Sequence, residues 1–221
     1  MEKINGEFIA FLDTDDWWLP NKLEKQIPLF DDLAVGMVYG NYYYFYEKKN
    51  KTEIFRKKKL PTGNIIKKIL SDYIVGSATY VIRNKCIKSL DYQFDDKLHI
   101  IGDFDINVRI AENWKIDCVQ DPVAFMRIHG QNESILNKNL EVEETKAWYE
   151  KIKKNKNFIS YIELENVKKR YLYLEAIETI LNQNFIKGFY KVLMYPFCFK
   201  KLKLIVALLL PRLILRKIKN Y

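Results

Sequence analysis

Along the chain, Glu7-Phe-Ile-Ala-Phe-Leu-Asp13 gives an apolar run closed by acids, the pattern of a short strand buried on both faces. Trp17-Trp-Leu-Pro-Asn-Lys-Leu-Glu-Lys-Gln-Ile then predicts a helix, with Pro20 suited to its first turn. Val35 to Tyr46, rich in Val and Tyr, predicts a strand; Lys48 to Lys51 is its hairpin tip, and Ile54-Phe-Arg is the return. Thr62 is placed to cap a short helix through Ile65, Ile66, Ile69 and Leu70. Ser77 to Arg83, after Gly76, predicts another strand. Asp103 to Asn113 predicts a helix with Phe104, Val108 and Ala111 on one face. A strand from Val119 to His129 is expected to be broken into by Pro122. Glu141 to Gln183 is long, charged and helical, and Phe185 to Tyr221 is apolar and basic. The alternation through the first 130 or so residues argues for an α/β layer, followed by an all-helical extension.

The length of 221 residues suits one ordinary domain plus an appendage, and 48% hydrophobic residues exclude a globally disordered chain. With only 8 Gly and 6 Pro and no internal period, the chain is neither linker-rich nor a repeat protein. The net charge of +9 is localised. From Phe185 onward there are nine cations (Lys187, Lys191, Lys200, Lys201, Lys203, Arg212, Arg216, Lys217, Lys219) and no acid. The remaining 28 of the 37 Lys+Arg match the 28 Asp+Glu, so the body is neutral. Such a tail fits an anionic lipid surface better than nucleic acid. Cys86, Cys118 and Cys198 lie far apart without metal-ligand spacing, so buried thiols in the reducing cytosol are expected. The first ten residues carry acids and no long apolar run, so no secretory signal is expected there.

In open α/β sheets, ligands sit beyond the carboxyl ends of the strands, where Asp13, Asp15 and Asp16 fall. Carboxylates two apart can present oxygens to one hard cation and the phosphates attached to it. Acids at a helix N-terminus are the competing explanation: Asp16 as a cap and the others favoured by the helix dipole. That accounts for one acid better than for three.

The segment Gly6-Glu-Phe-Ile-Ala-Phe-Leu-Asp-Thr-Asp-Asp-Trp-Trp18 resembles the Asp-x-Asp region of family 2 glycosyltransferases, which share the GT-A fold. The resemblance implies that Asp15 ligates a divalent metal, Mg or Mn, that Asp13 contacts the nucleotide or metal-bound water, and that Asp16 supports them. Dehalogenase-like phosphatases also carry Asp-x-Asp after an apolar strand, but their pattern wants Thr or Val where this chain has Trp17.

Ile100-Ile-Gly-Asp-Phe-Asp-Ile-Asn-Val-Arg-Ile110 resembles the family's second acidic motif, which makes Asp103 the base that deprotonates the acceptor hydroxyl. Gly102 stands where the family commonly has Glu, which puts a neighbouring contact in question. Asp103 as a mere helix cap is the alternative, and Asp105 with Arg109 reads as a structural i, i+4 pair. In Asp121-Pro-Val-Ala-Phe-Met-Arg-Ile-His129, alternation puts Phe125, Arg127 and His129 on one face and Ala124, Met126 and Ile128 on the core face. The resemblance assigns His129 to the metal. It sets Gly76 and Ser77 on a loop facing donor or acceptor, with Trp17 and Arg127 on the acceptor side.

Taken whole, the resemblance covers Gly6 to Glu133. It implies an incomplete, Rossmann-like GT-A mixed sheet at 1–136 with flanking helices, a helical extension at 137–184 and a membrane-associating tail at 185–221. The implied reaction moves a sugar from a nucleotide-diphosphate donor to an acceptor hydroxyl, by inversion, for a surface glycan or its lipid-linked precursor. The family has several strands before its Asp-x-Asp strand, and about six residues precede it here. A truncated or split gene product, inactive without a chain that supplies those strands, is therefore expected, with an exposed apolar edge at Phe8–Leu12. An accessory subunit or inactive remnant and a metal-dependent phosphatase are the other classes. The run Leu202 to Lys217, interrupted by Pro211, falls short of the ~20 apolar residues that span a bilayer. It is expected to lie in the interface on the cytoplasmic face of the cell membrane, or else to pack on its own domain.

Overall fold

In the computed structural model, residues 4–182 and 184–210 are described. Contacts divide the chain between Leu136 and Asn137 into a sheet unit and a helical unit. The sheet unit contains, in order, β1 (Phe8–Ala10), β2 (Trp17–Trp18), α1 (Lys22–Gln26), β3 (Val35–Tyr46), β4 (Lys51–Ile54), α2 (Ile66–Ser71), β5 (Val81–Arg83), α3 (Asn84–Lys88), α4 (Gly102–Asn113), β6 (Lys115–Ile128) and α5 (Glu133–Leu136).

The Val- and Tyr-rich β3 is the centre of a mixed sheet ordered β1-β5-β3-β6-β2, with β4 also on β3. It runs parallel to β6 and antiparallel to β5 and β4. Val35 to Tyr42 are all buried, which is why this half of the strand lacks a polar alternation. Gly40 is dictated by packing: a Cβ there would meet Val123 Cγ2 at 2.5 Å. The β3–β4 hairpin turns where expected, at Asn50 with φ 44°. On the other side, α4 buries Phe104, Val108 and Ala111 as expected, together with Ile106 and Ile110.

Four local expectations are corrected. No helix opens at Trp17: Trp17 and Trp18 pair with Phe125 and Ala124 of β6, and α1 begins at Lys22. The Trp17 ring stacks on Phe125 at 4.9 Å, Trp18 Nε1 donates to the Ala78 carbonyl at 3.0 Å, and Leu19 N donates to Val123 O. These tertiary contacts outweigh the helix propensity of the run. Pro122 does not break β6. The register with β3 slips around Asn41, so the strand passes Pro122 through a bulge that needs no ladder donor there. Thr62 caps nothing; α2 starts after Ile65 with no side-chain cap. Ser77 to Thr79 form a 3-10 turn, leaving only Val81–Arg83 as strand. β1 pairs with β5 alone, at an end of the sheet, and is only partly buried; Leu12 beyond it is 46% exposed.

The helical unit is built from α6 (Lys138–Ile152), α7 (Leu164–Leu181), α8 (Phe185–Met194) and α9 (Phe199–Leu209). α7 packs against the other three, and Ala176, Ile180, Val192, Tyr195, Leu204 and Ala207 form a core. Asn184 caps α8 by accepting from Lys187 N at 3.1 Å. Cys86 and Cys118 are buried, but Cys198, ahead of α9, is exposed, against expectation. Among the described residues no helix is long and apolar enough to cross a membrane. Pro211, Arg212, Arg216, Lys217 and Lys219 lie outside the described residues. The α/β layer followed by a helical extension is the architecture that the alternation predicted, and the mixed sheet with flanking helices is what the resemblance implied.

Candidate active site

The two-residue strand β2 assembles the site. Its antiparallel pairing with β6 aligns the chain just before Trp17 with the chain just after Phe125. Asp13 to Asp16 form a turn closed by Asp16 N donating to Asp13 O at 3.1 Å. Asp15 thereby meets His129, with Oδ2 and Nε2 2.9 Å apart, and Asp16 Oδ1 accepts from Arg127 N at 2.9 Å. Thus Asp16 does not cap α1; it ties the acidic turn to the neighbouring strand.

A loop after β6 braces the pair. Gly130, at φ 83°, turns the chain so that Asn132 Oδ1 accepts from His129 N and Asn132 Nδ2 donates to Arg127 O at 2.8 Å. Asn132 Nδ2 also lies 3.3 Å from Asp15 Oδ2. The His129 hydrogen bond holds Asp15 below the usual carboxylate range, although burial opposes it. Burial pushes Asp16 up to about 6, and the charges of Asp15 and Asp13 add to that effect.

Asp13 is exposed and accepts from Ser77 Oγ at 3.2 Å, so the loop after Gly76 reaches the acidic turn. Gly76 itself is buried: a Cβ would meet Tyr42 Cε1 at 2.8 Å and Met126 Sδ at 3.1 Å. Its glycine is required by packing on the core face of β6, where Ala124 and Met126 point as expected. Trp17 sits in an aromatic row with Phe125 and Phe45. The Arg127 guanidinium forms an ion pair with Glu47.

Asp103 lies in the first turn of α4. Its Oδ2 accepts from Tyr73 Oη at 2.8 Å and its Oδ1 from Phe104 N at 2.7 Å. Asn107 Nδ2 donates to the same Tyr73 oxygen at 2.9 Å, one turn along α4. Asp105 turns the other way into a buried pair with Arg109 at 2.7 Å, the structural role expected for it. Tyr80 is buried. Burial raises its phenol first, and the charges of Asp103 and then Asp13 raise it further, so both clusters act on one side chain.

No group of three or more His, Cys, Asp or Glu side chains that could hold a metal occurs among the described residues. Asp15 and His129 nevertheless fit as a pair. Adjacent donors about 2.1 Å from one hard cation stand about 3 Å apart, and the two atoms are 2.9 Å apart. Such an ion commonly takes its remaining ligands from substrate phosphates and water. Tyr73, Asn107 and Asn132 escaped the sequence reading. Only Asn132 carried a signal, standing three residues after His129 in the same polar turn.

Residues 1–96 match the model of glycosyl transferase family 2, a stretch that holds Asp13, Asp15, Asp16, Gly76 and Ser77 but neither Asp103 nor His129. The chain is 29% identical over 125 residues to an uncharacterized glycosyltransferase of Methanocaldococcus jannaschii, covering 56% of this chain and 42% of that one. It is 34% identical over 93 residues to an Escherichia coli UDP-Glc:alpha-D-GlcNAc-diphosphoundecaprenol beta-1,3-glucosyltransferase, covering 42% and 35%. The chain therefore spans less than half the length of these relatives. Among solved structures, S. aureus TarS superposes with a TM-score of 0.50 at 14% identity, over 78% of this chain and 29% of that one, a likeness of fold alone.

Proposed function

We propose that the chain, whose residues 1–96 match the model of glycosyl transferase family 2, transfers a sugar from a nucleotide-diphosphate donor to an acceptor hydroxyl in surface-glycan synthesis. The observation that carries this reading is the β2–β6 pairing, which sets Asp15 against His129 in the same acidic turn as Asp13.

Asp13 and Asp16 hold the nucleotide end of the donor, with Ser77 fixing the Asp13 carboxylate. Gly76 lets this loop approach the sheet, and Trp17 and Arg127 border the acceptor side. Asp15 and His129 would hold a divalent cation, Mg or Mn, which would supply positive charge against the departing diphosphate. Asp103 accepts the acceptor's hydroxyl proton, and attack opposite the leaving group gives inversion. Tyr73 positions that base: its hydroxyl fixes Oδ2 and stabilises the charged carboxylate. The Escherichia coli relative acts on UDP-Glc and a diphosphoundecaprenol-linked sugar. UDP-glucose and a lipid-linked GlcNAc diphosphate are therefore the donor and acceptor to try first. A lipid-linked acceptor favours work at the cytoplasmic face of the membrane.

The test is UDP binding by calorimetry with and without Mn²⁺, together with UDP-glucose turnover on that acceptor. UDP should bind in a Mn²⁺-dependent manner, and Asp15→Ala should weaken it at least about tenfold, as expected for a lost charge-assisted contact. Asp103→Asn should leave UDP binding intact and lower turnover about 10²–10⁴-fold. UDP binding unchanged by Asp15→Ala would sink the donor assignment, and phosphate release from simple esters would favour a phosphatase. Binding without turnover would mark a donor-binding subunit that needs a partner chain.

A further inference from the structure

The two last described helices are amphipathic in the inverted sense. Along α8 the apolar residues fall in helical rows, and the row that packs on α7 is the small one, Gly188 and Val192. A Cβ on Gly188 would lie 3.1 Å from Ile180 Cγ1, so the glycine permits the close approach of the helices. The large residues Ile186, Phe189, Tyr190 and Leu193 face outward, Ile186 at 82% exposure. On α9, Leu204 and Ala207 pack inward while Leu202, Val206 and Leu209 stand out. Between the helices, after Pro196, Phe197 is 97% exposed.

Water-soluble helices bury the apolar stripe and expose the polar one, and exposed apolar patches beyond a few hundred Å² mark an interaction surface. Charge indicates which kind. Lys187, Lys200 and Lys203 are exposed beside these residues. Lys191 pairs with Glu175 of α7 at 3.1 Å. The sequence from Phe185 onward has no acid, and it continues with Arg212, Arg216, Lys217 and Lys219. A two-fold contact with a second copy would set lysines against lysines, a repulsive arrangement. An anionic leaflet gains about 1 kcal/mol per cation near its surface and accepts the apolar row as well. With 10 and 11 residues, α8 and α9 are about half the length needed to span a bilayer.

We propose that the outward faces of α8 and α9, with Phe197 between them, form a docking surface that inserts into the interface of a membrane rich in anionic phospholipid. The surface shares no residue with the candidate active site, so the proposal holds whether or not the chain transfers sugar.

The test is sedimentation of the full chain with vesicles of phosphatidylcholine, with and without phosphatidylglycerol, at low and high salt. Binding to the phosphatidylglycerol vesicles should be at least about tenfold tighter than to phosphatidylcholine alone, and salt should weaken it. The double variant Phe189→Asp/Phe197→Asp should abolish it while circular dichroism stays unchanged, since both side chains lie in solvent. Lys200→Gln/Lys203→Gln should remove most of the salt-sensitive part. Absence of binding by the parent chain, or equal binding by the aspartate variant, overturns the proposal. So does a concentration-dependent dimer that the aspartates dissolve in the absence of vesicle binding, which would identify a protein interface instead.

Discussion

Tyr39, Tyr80 and Ile106 in the sheet unit are almost wholly enclosed, whereas Phe189, Phe197 and Leu209 in the helical unit stand in solvent. The sheet unit also encloses a charge. Lys22 on α1 is 1% exposed, and its Nζ, 4.4 Å from the centre of the Trp18 ring, has no hydrogen-bond partner. One unit thus hides a cation and the other displays aromatic rings. Each arrangement costs free energy in an isolated, soluble chain. The difference lies in what compensates. In the sheet unit, neighbouring elements close over the apolar rows and leave carboxylates at the strand ends. In the helical unit, the inward rows are small and are satisfied by α7, and none of the described residues of the unit covers the large residues that remain.

The largest stability effect should come from the enclosed side. Ile106 is fully buried on α4, one turn from Asp103. Ile106→Ala should destabilise the sheet unit by about 2–5 kcal/mol, the usual range for a large-to-small change in a packed core. Urea denaturation followed by Trp fluorescence would report it. A loss below about 1 kcal/mol would mean that α4 is loosely held, and the contrast between the units would fail.

Much of this contrast was legible in the residues, for a physical reason. Periodicity reports which residues share a face, so β3, α4 and the core face of β6 could be read directly. The acids after the first apolar run were legible because strand ends are where ligands bind. Pairings across the chain were not. The Asp15–His129 contact joins residues 114 apart and was reachable only through the family resemblance. Tyr73 meets Asp103 across 30 residues, and no local pattern marks it. β2 was misread as helix because a two-residue strand has no period, and only its partner on β6 makes it one. The chemistry of α8 and α9 was visible as apolar rows and lysines. Which row faces outward depended on Gly188 and Ala207, the small residues that pack inward.

Lys22 tests the other half of the comparison, with a smaller effect. Burial lowers its amine from 10.5 to about 8, so at neutral pH the folded chain holds an ammonium with no hydrogen-bond partner. Lys22→Met keeps the contact with Trp18 and removes the charge; it should stabilise the chain by about 1–3 kcal/mol at pH 7. The sign follows from linkage. Below pH 8 both states carry the proton and the cost is constant. Between pH 8 and 10.5 the unfolded chain binds the proton more strongly than the folded one, so the lysine form gains stability as pH rises. The gap between variant and parent should therefore narrow through that window. Taking the difference cancels the opposite trend from Cys86 and Cys118, whose thiols burial pushes up to about 12. A gap independent of pH would show that the Lys22 amine titrates alike in the folded and unfolded chains, so that burial does not perturb it.

The smallest expected effect is the sharpest test. Phe189 is a larger side chain than Ile106, and by size alone its removal should cost more. It is 56% exposed on α8, where Gly188 and Val192 are the buried residues. Phe189→Ala should therefore change stability by less than about 0.5 kcal/mol, the range of surface substitutions away from caps and charges. Alanine's higher helix propensity offsets part of the lost contact. Denaturation monitored by far-ultraviolet circular dichroism would read it. A loss of 2 kcal/mol or more, on the scale of a core deletion, would show that Phe189 is covered in solution by protein, and the outward face of α8 would have to be counted as core. A negligible loss of stability joined to weaker vesicle binding would separate the two uses of apolar surface: in the sheet unit it holds the chain together, and on α8 it holds the chain to a membrane.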